Sequence, residues 1–311
     1  MLPETAGDPM SEQKWVCSSL RHLSERLEQR GHLVSAPTVA RLLRKWGYSL
    51  RVNVKKQEGS SAHPQRQQQF EYLETQKDAF GTAGLPIISV DTKKKELIGN
   101  FKNAGQAWCQ HPEEVNVHDF PSEAFARAVP YGIYDVNRQQ GSVYVGISAD
   151  TSEFAVAAIA RWWEEEGRLN YSEADQLLIL ADAGGSNSCR TRSFKLHLQE
   201  CVSDRYGLTV SVCHYPTGCS KWNPIEHRLF SHISLNWAGK PLRTLETMLN
   251  FIRGTATSTG LTVRVALLEG AFEKGQTVSE AQMKQLNIEH AAVCAQWNYT
   301  LRPRVAGVST S

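Results

Sequence analysis

The chain has 311 residues, 41% of them hydrophobic and 21% charged, which predicts about two domains with real cores and excludes a wholly disordered protein. No stretch reaches the roughly 18 consecutive apolar residues of a membrane-spanning helix. The first ten residues, MLPETAGDPM, contain no apolar run of a secretory signal. Seven scattered cysteines indicate reduced thiols. These features predict a cytoplasmic protein with no membrane partner.

The net charge of +2 conceals an uneven distribution of charge along the chain. Residues 14–66 hold 11 lysines and arginines against 3 acids, which leaves 23 basic and 29 acidic residues for the rest. A compact basic segment attached to a mildly acidic body is typical of an arm that binds a polyanion such as DNA. A charged and solvated face would produce the same counts.

Two short amphipathic helices are predicted within the basic segment. Leucines at i, i+3 and i+7 indicate a helix over about 17–30, and Ser35 is placed to begin a second helix. Arg41, Arg44 and Lys45 lie off the apolar stripe of this second helix. The pair is typical of a helix-turn-helix, and we expect these three basic residues to contact DNA. Helical bundles that never bind DNA show the same pattern.

The chain beyond the basic segment changes from polar linker to alternating apolar elements. Residues 57–82 predict a linker running into a helix. LPIISVD predicts a buried strand, and GIYDVNRQQGSVYVGIS predicts two strands joined by a turn. QLLILAD and LTVSVCHY predict further buried strands, each preceded by a helical pattern. Strands in a run and then alternating with helices predict an α/β fold.

The resulting division has four parts. We predict a helix-turn-helix-like segment over 1–56, the linker and helix over 57–82, an α/β domain over 83–260 and a C-terminal extension over 261–311. TVRVALLEG and NYTLRP, in the extension, are candidates for short strands.

Three acids fall where a sheet of this kind would bring them together. Asp91 and Asp182 each close an apolar strand, and Glu226 lies in the first turn of a helix that follows the next strand. Sites of open α/β sheets form beyond the carboxyl ends of the strands, and carboxylates bind Mg²⁺, which promotes phosphoryl transfer. Structural interpretations stay open, because Asp182 can open a turn and Glu226 can complete a capping box with Asn223.

Several residues near these motifs allow two interpretations. Lys93, Lys94 and Lys95 either hold a phosphate backbone or form a solvated strand end. Arg228, close to the third acid, either contacts DNA phosphate or orients a carboxylate. Trp222 either stacks on a DNA base or belongs to the core.

Two more acids and one histidine–cysteine cluster are given structural interpretations. Asp119 and Asp150 lie near predicted strand ends, and we expect surface roles for them. The cysteines and histidines between 213 and 232 have a shorter middle gap than a zinc finger, so we predict no zinc site.

Long motifs in these same regions resemble one protein family. The segments SVDTKKKELIGNFKN, VNVHDFP, YGIYDVN, LADAGGSNSCR, CHYPTGCSKWNPIEHRLFSHIS and QWNYTLRP closely resemble the Rhodopirellula-type DDE transposases of bacterial insertion sequences. The resemblance implies an RNase H-like mixed-sheet catalytic domain, with Asp91, Asp182 and Glu226 as a triad that binds Mg²⁺ or Mn²⁺. It also implies a nucleoid-associated transposase that cleaves and transfers double-stranded DNA as a homo-oligomer.

Two departures from the family pattern suggest narrower functions. The segment GDPMSEQKWVCSSLRHLSERL matches what is an interior segment in the family, so we expect an upstream DNA-binding region to be missing. Ala183 stands where the family has a glycine, and its methyl group would clash if the backbone needed a positive φ. The alternatives are a catalytically silent truncated transposase that only binds DNA, and an RNase H-like nuclease without transposition.

Overall fold

A computed structural model describes residues 5–7, 14–16, 19–48, 64–107, 109, 111–116 and 121–304. The chain divides into two compact units, Met1–Gln57 and Glu58–Ser311. The predicted boundary at residue 56 and the acid Asp119 lie outside the described residues. The other predicted domain boundaries stay predictions.

The first unit contains a small hairpin and two helices. These elements are β1 (Thr5–Gly7), β2 (Lys14–Val16), α1 (Leu20–Gln29) and α2 (Ala36–Lys45).

Local sequence explains where the two helices begin and end. The Ser19 hydroxyl accepts a hydrogen bond from the His22 amide and so caps α1. Gly31 and Gly47 follow the two helices with φ of +83° and +79°, the left-handed conformation that commonly ends a helix. The predicted helices at about 17–30 and after Ser35 are therefore confirmed.

The second unit holds the remaining strands and helices. They are α3 (Arg66–Thr82), β3 (Ile87–Thr92), β4 (Glu96–Ile98), β5 (Ala126–Asp135), β6 (Gln140–Gly146), α4 (Ser152–Trp162), α5 (Arg168–Asn170), β7 (Gln176–Asp182), α6 (Arg192–Leu198), β8 (Thr209–Tyr215), α7 (Ser231–Asn236), α8 (Leu245–Arg253), β9 (Val263–Leu267), α9 (Glu280–Lys284), β10 (Ile288–His290) and β11 (Asn298–Leu301). Stretches of π-helix extend α4 and α6 and precede α7, over Trp163–Gly167, Gln199–Asp204 and Glu226–Phe230.

Within the described part of the chain, nine strands of this unit form one mixed sheet. The strand order is β10-β11-β8-β7-β3-β5-β6-β9, and β4 pairs with β5. The central strands β3, β7 and β8 are parallel, whereas β5 runs antiparallel to β3 and to β6. Three antiparallel strands followed by two that return parallel to the first, in the order β6-β5-β3-β7-β8, make the RNase H-like arrangement. The expected fold class is confirmed.

Three strands of the predicted C-terminal extension, β9, β10 and β11, join this sheet. β9 pairs with β6 at one edge, and β11 pairs with β8 near the other. Both strands fall in the predicted TVRVALLEG and NYTLRP segments, but the sequence did not show which strands they would join. The helix α3, predicted as the end of a linker, likewise packs against the sheet, since Leu73 and Phe80 are buried with Leu178 and Leu180 of β7.

The core lies on both faces of the central strands. On one face, Val90 and Ile179 pack with residues of α4 and α6, including Phe154 and Phe194. On the other face, the helical segment that follows β8 packs Ile225 against the antiparallel strands. Two packed faces explain why the central strands are continuous apolar runs.

Candidate active site

Two of the predicted acids lie side by side at the carboxyl ends of neighbouring strands. Val90 of β3 pairs in parallel with Ala181 of β7, so the next residues, Asp91 and Asp182, are adjacent. Neighbouring strands lie about 4.8 Å apart. Both side chains are partly buried. The sheet therefore brings together two carboxylates that are 91 residues apart in the sequence.

The third acid lies in the first turn of the helical segment that follows β8. Glu226 is the first residue of the π-helical stretch Glu226–Phe230, and such stretches are frequent at functional sites. Asn223 precedes this segment, and its backbone oxygen accepts a hydrogen bond of 3.1 Å from the Glu226 amide. Its side chain instead contacts the strands, donating from Nδ2 to Asp182 Oδ1 at 3.0 Å. The Asn223 side chain therefore bonds to a strand residue and not to the Glu226 amide, so the capping-box interpretation is wrong.

The three acids affect one another electrostatically. Burial, followed by the charge of Asp182, raises the pKa of Asp91 to about 7, although the Thr92 amide bonded to Asp91 opposes this shift. Burial raises the pKa of Asp182, against the hydrogen bond from Asn223. Burial and then the charge of Asp182 raise the pKa of Glu226. A positive ion would relieve this accumulation of partly buried negative charge.

Carboxylate oxygens are suitable ligands for a hard divalent cation, but these carboxylates do not already form a complete coordination site. In the described residues, no three histidine, cysteine, aspartate or glutamate side chains already converge as metal ligands. Mg²⁺ does not require such a cage, because it keeps several waters and is bound through one or two carboxylates. Asp91 and Asp182 on adjacent strand ends fit that requirement.

A cleft of about 560 Å³ opens beside Asp91. Its lining includes Asp91, Asp150 and Arg127, but in the described chain neither Asp182 nor Glu226 lines it. Asp150 accepts a hydrogen bond of 3.0 Å from the Thr92 hydroxyl, and its charge helps to raise the pKa of Asp91. The expected role for Asp150 was at the surface; the structure makes it a neighbour of the candidate site.

The three lysines after β3 have different surroundings. Lys93 is 8% exposed; its Nζ lies 3.1 Å from Glu96 Oε1 and 4.6 Å from the centroid of the Trp237 ring. This internal ion pair leaves Lys93 less exposed than its neighbours, although it also lines the cleft, and its phosphate contact stays a prediction. Lys94 and Lys95 are exposed and line the cleft, with Lys95 Nζ 3.3 Å from Asp150.

The remaining predicted DNA contacts are exposed. Arg228 lies on the surface two residues after Glu226. In the separate first unit, Arg41, Arg44 and Lys45 are exposed on α2. Exposure leaves each of them available to phosphate, and their role stays a prediction.

Trp222 is not a core residue. It is 54% exposed, with its ring edge-on to Phe70 at 5.9 Å between centroids and Lys221 Nζ 5.4 Å from its own centroid. Base stacking by this side chain stays a prediction.

The Ala183 departure causes no backbone strain. Among the described residues other than glycine, Gln139 and Cys294 are those with positive φ, so the methyl group of Ala183 meets no left-handed requirement. Ala183 packs against the buried cluster of Cys189, Cys294 and Trp297.

Sequence reasoning missed several residues at this edge of the sheet. Ser89 and Asn223 are buried polar residues that connect the elements of the site, and Arg127 lines the cleft from β5. Ser89 and Asp91 are two residues apart on β3, so both lie on one face of the strand. That spacing, together with Asn223 three residues before Glu226, was the available signal.

Comparison with known proteins places the chain in a family. The family model of the Rhodopirellula transposase DDE domain matches residues 1–303. No curated protein matches the chain. In the described residues, no helix is long and apolar enough to cross a membrane.

The solved structures similar to this chain include several of Mos1 transposase. The paired-end complex with the left transposon end has 14% identity and a TM-score of 0.46 over 76% of this chain and 66% of that chain. The strand transfer complex has 15% identity and a TM-score of 0.45 over 76% of this chain and 65% of that one. This chain thus spans slightly less than two thirds of the Mos1 chains. Since the family model covers nearly all of its residues, the chain belongs to the Rhodopirellula transposase DDE-domain family.

Proposed function

We propose that this protein is a DNA transposase that uses divalent metal ions to cleave DNA strands and join them to a target. The observation that carries the proposal is the adjacency of Asp91 and Asp182 at paired strand ends, with Glu226 on a segment bonded to the same strands. The order Asp, Asp, Glu in the chain is that of the DDE family to which it belongs.

The chemistry assigned to this site is metal-assisted phosphoryl transfer. Asp91, Asp182 and Glu226 would hold Mg²⁺ or Mn²⁺, which when bound activates the attacking oxygen and stabilises the leaving oxygen. Water attacks in the cleavage step and a DNA 3′-hydroxyl attacks in strand transfer. Asp91 and Asp182 would hold the ions, and Glu226 would complete the site and accept a proton. We expect no covalent protein–DNA intermediate.

The proposed partner is double-stranded DNA, held by exposed basic residues. Lys94, Lys95 and Arg228 would contact phosphates near the site, and the basic face of α2 would bind DNA through the first unit. Two element ends must be held together before strand transfer, so we propose a homo-oligomer on DNA. A DNA-acting protein of this kind would reside in the cytoplasm, on the nucleoid.

Isosteric substitutions of the three acids test the proposal. Asp91→Asn, Asp182→Asn and Glu226→Gln keep the shape of each side chain and remove the charge a cation needs. We expect each to lower Mg²⁺-dependent cleavage of a duplex carrying the element end by at least about 1,000-fold, without loss of DNA binding. Cleavage is measured on gels, binding by fluorescence anisotropy, and folding by circular dichroism.

Asp175→Asn is the matched control. Asp175 is exposed and directly precedes β7, at the opposite end of the strand from Asp182, so its substitution should leave cleavage unchanged. Full activity in the folded Glu226→Gln protein would remove Glu226 from the site. DNA binding by the unaltered chain, without cleavage in Mg²⁺ or Mn²⁺, would identify a silent transposase.

A further inference from the structure

A buried asparagine connects all three elements that carry the acids. Asn223 is fully buried and lies between the short helical turn Ser220–Trp222 and the segment that begins with Glu226. Its side chain contacts β3 and β7, the strands that end near Asp91 and Asp182. Buried polar groups are costly unless they are hydrogen-bonded, so the partners of this amide matter.

Each end of the Asn223 amide has a partner on the sheet. Nδ2 donates to Asp182 Oδ1 at 3.0 Å and to the Val90 carbonyl at 3.5 Å. Oδ1 accepts a hydrogen bond from the Ser89 hydroxyl. Ser89 Oγ in turn accepts from the Ile225 amide at 3.1 Å. A continuous hydrogen-bond chain therefore joins β7, the loop, β3 and the start of the helical segment.

We propose that Asn223 is a positioning residue of the active site: it orients the Asp182 carboxylate and, through Ser89, fixes the segment of Glu226 against the strand of Asp91. This inference rests on the proposed function, because it assigns Asn223 to the same metal-dependent reaction. Asn223 is bonded to one oxygen of Asp182, so the other oxygen can face a cation. The residue acts through the acids and contacts no reacting atom.

The chemistry of the amide explains why asparagine occupies this position. An amide supplies a donor for the carboxylate and an acceptor for the hydroxyl of Ser89. An ionised aspartate in its place would set one carboxylate against another and remove the donor. An apolar residue would leave both Asp182 and Ser89 without this partner. A local helix cap would need neither of the two strand contacts.

The test compares metal binding and cleavage in Asn223→Ala and the unaltered protein. Partners that orient metal ligands typically change metal affinity or activity by 10- to 100-fold. We expect Asn223→Ala to raise the Mn²⁺ dissociation constant, measured by calorimetry without DNA, by roughly tenfold or more. The Mg²⁺ concentration for half-maximal cleavage should rise in parallel. Asn298→Ala is the control, because Asn298 is also buried and bonded, to Gln69 on α3, and should lower stability without changing metal dependence.

The metal measurements separate positioning from a purely structural role. A purely structural role would lower the free energy of unfolding of Asn223→Ala and leave the Mn²⁺ dissociation constant of the folded protein unchanged.

A second variant tests the same hydrogen-bond chain if the change at Asn223 prevents folding. Ser89→Ala removes one link of the hydrogen-bond chain and should raise the metal requirement in the same direction by a smaller factor. Unchanged Mn²⁺ affinity in folded Asn223→Ala, or in folded Ser89→Ala, would overturn the inference. Absence of metal binding and cleavage in the unaltered protein would instead overturn the proposed function.

Discussion

The helix pair of the first unit and the acidic strand ends of the second hold their functional side chains in different ways. Each of the helices α1 and α2 has one buried side chain, Leu23 and Val39. The basic residues of α2, Arg41, Arg44 and Lys45, are exposed. At the strand ends, the acids are partly buried and held by contacts between distant residues, such as Asn223 with Asp182.

This difference matches what each region is proposed to do. Phosphate contacts work through long, mobile side chains and tolerate small displacements. Metal-assisted catalysis needs carboxylates in a narrow range of positions, supplied by packed strands and buried hydrogen bonds. Four changes test the contrast, from the largest expected effect to the smallest.

Matched leucine truncations compare the packing of the two regions. Leu180 of β7 is fully buried and Leu23 of α1 is 6% exposed. Leu180→Ala should lower the free energy of unfolding of its unit by about 4 kcal/mol, and Leu23→Ala should lower that of the first unit by about 2 kcal/mol. The loss at Leu180 is larger because the cavity left there is enclosed by the sheet and its surroundings relax less. Denaturant titrations measure both. Equal losses would show that the helix pair is packed as tightly as the sheet.

The pH dependence of stability tests the electrostatics of Asp91 in the absence of divalent cations. Folding raises the pKa of this carboxyl from 3.8 to about 7. At a pH between these two pKa values, the folded state keeps a proton that the unfolded state has lost. The free energy of unfolding should therefore fall as pH rises from about 4 to 7. Asp91→Asn should raise it by roughly 1–3 kcal/mol at pH 8 and have little effect at pH 4.

Urea titrations at both pH values, in the presence of a chelator, check this expectation. Asp175→Asn, exposed and directly before β7, is the control. A gain of equal size at pH 4 and pH 8 would contradict the electrostatic explanation, because it would not depend on the charge of Asp91.

The salt dependence of DNA binding tests the helix pair. Each phosphate contact contributes roughly 0.9 to the slope of log affinity against log salt. Replacing Arg41, Arg44 and Lys45 together by alanine should reduce the slope by about 2 to 3 and leave the cleavage rate of bound DNA unchanged. Lys284→Ala, exposed on α9, is the control. An unchanged slope would place the DNA contacts in the second unit.

Ala183→Gly should have the smallest effect. The backbone at Ala183 has no positive φ, so restoring the glycine of the family pattern relieves no strain. It removes a methyl group from the cluster with Cys189 and Trp297 and frees the unfolded chain, which should cost less than about 1 kcal/mol. Thermal melting and the cleavage assay measure the two consequences. A marked gain in cleavage would show that the methyl group obstructs the site.

The amino-acid sequence alone predicted the central strands and the two helices of the first unit, and it identified the candidate acids. The continuous apolar runs before Asp91 and Asp182 predicted buried strands, and the apolar stripe after Ser35 predicted α2. These elements can be predicted from short stretches of sequence because the spacing of the apolar residues marks the buried face of a strand or helix. The long motifs added the family, its fold and the assignment of Glu226.

Only the tertiary structure decided which distant residues meet. It joined β9 and β11 to opposite sides of the sheet, turned Lys93 towards Glu96 and Trp237, and placed the Asn223 amide between Ser89 and Asp182. Ser89 and Asn223 are 134 residues apart, and nothing in the spacing around either one identifies the other. Such contacts depend on strand order and on the packing of whole helices against the sheet, which local periodicity does not encode.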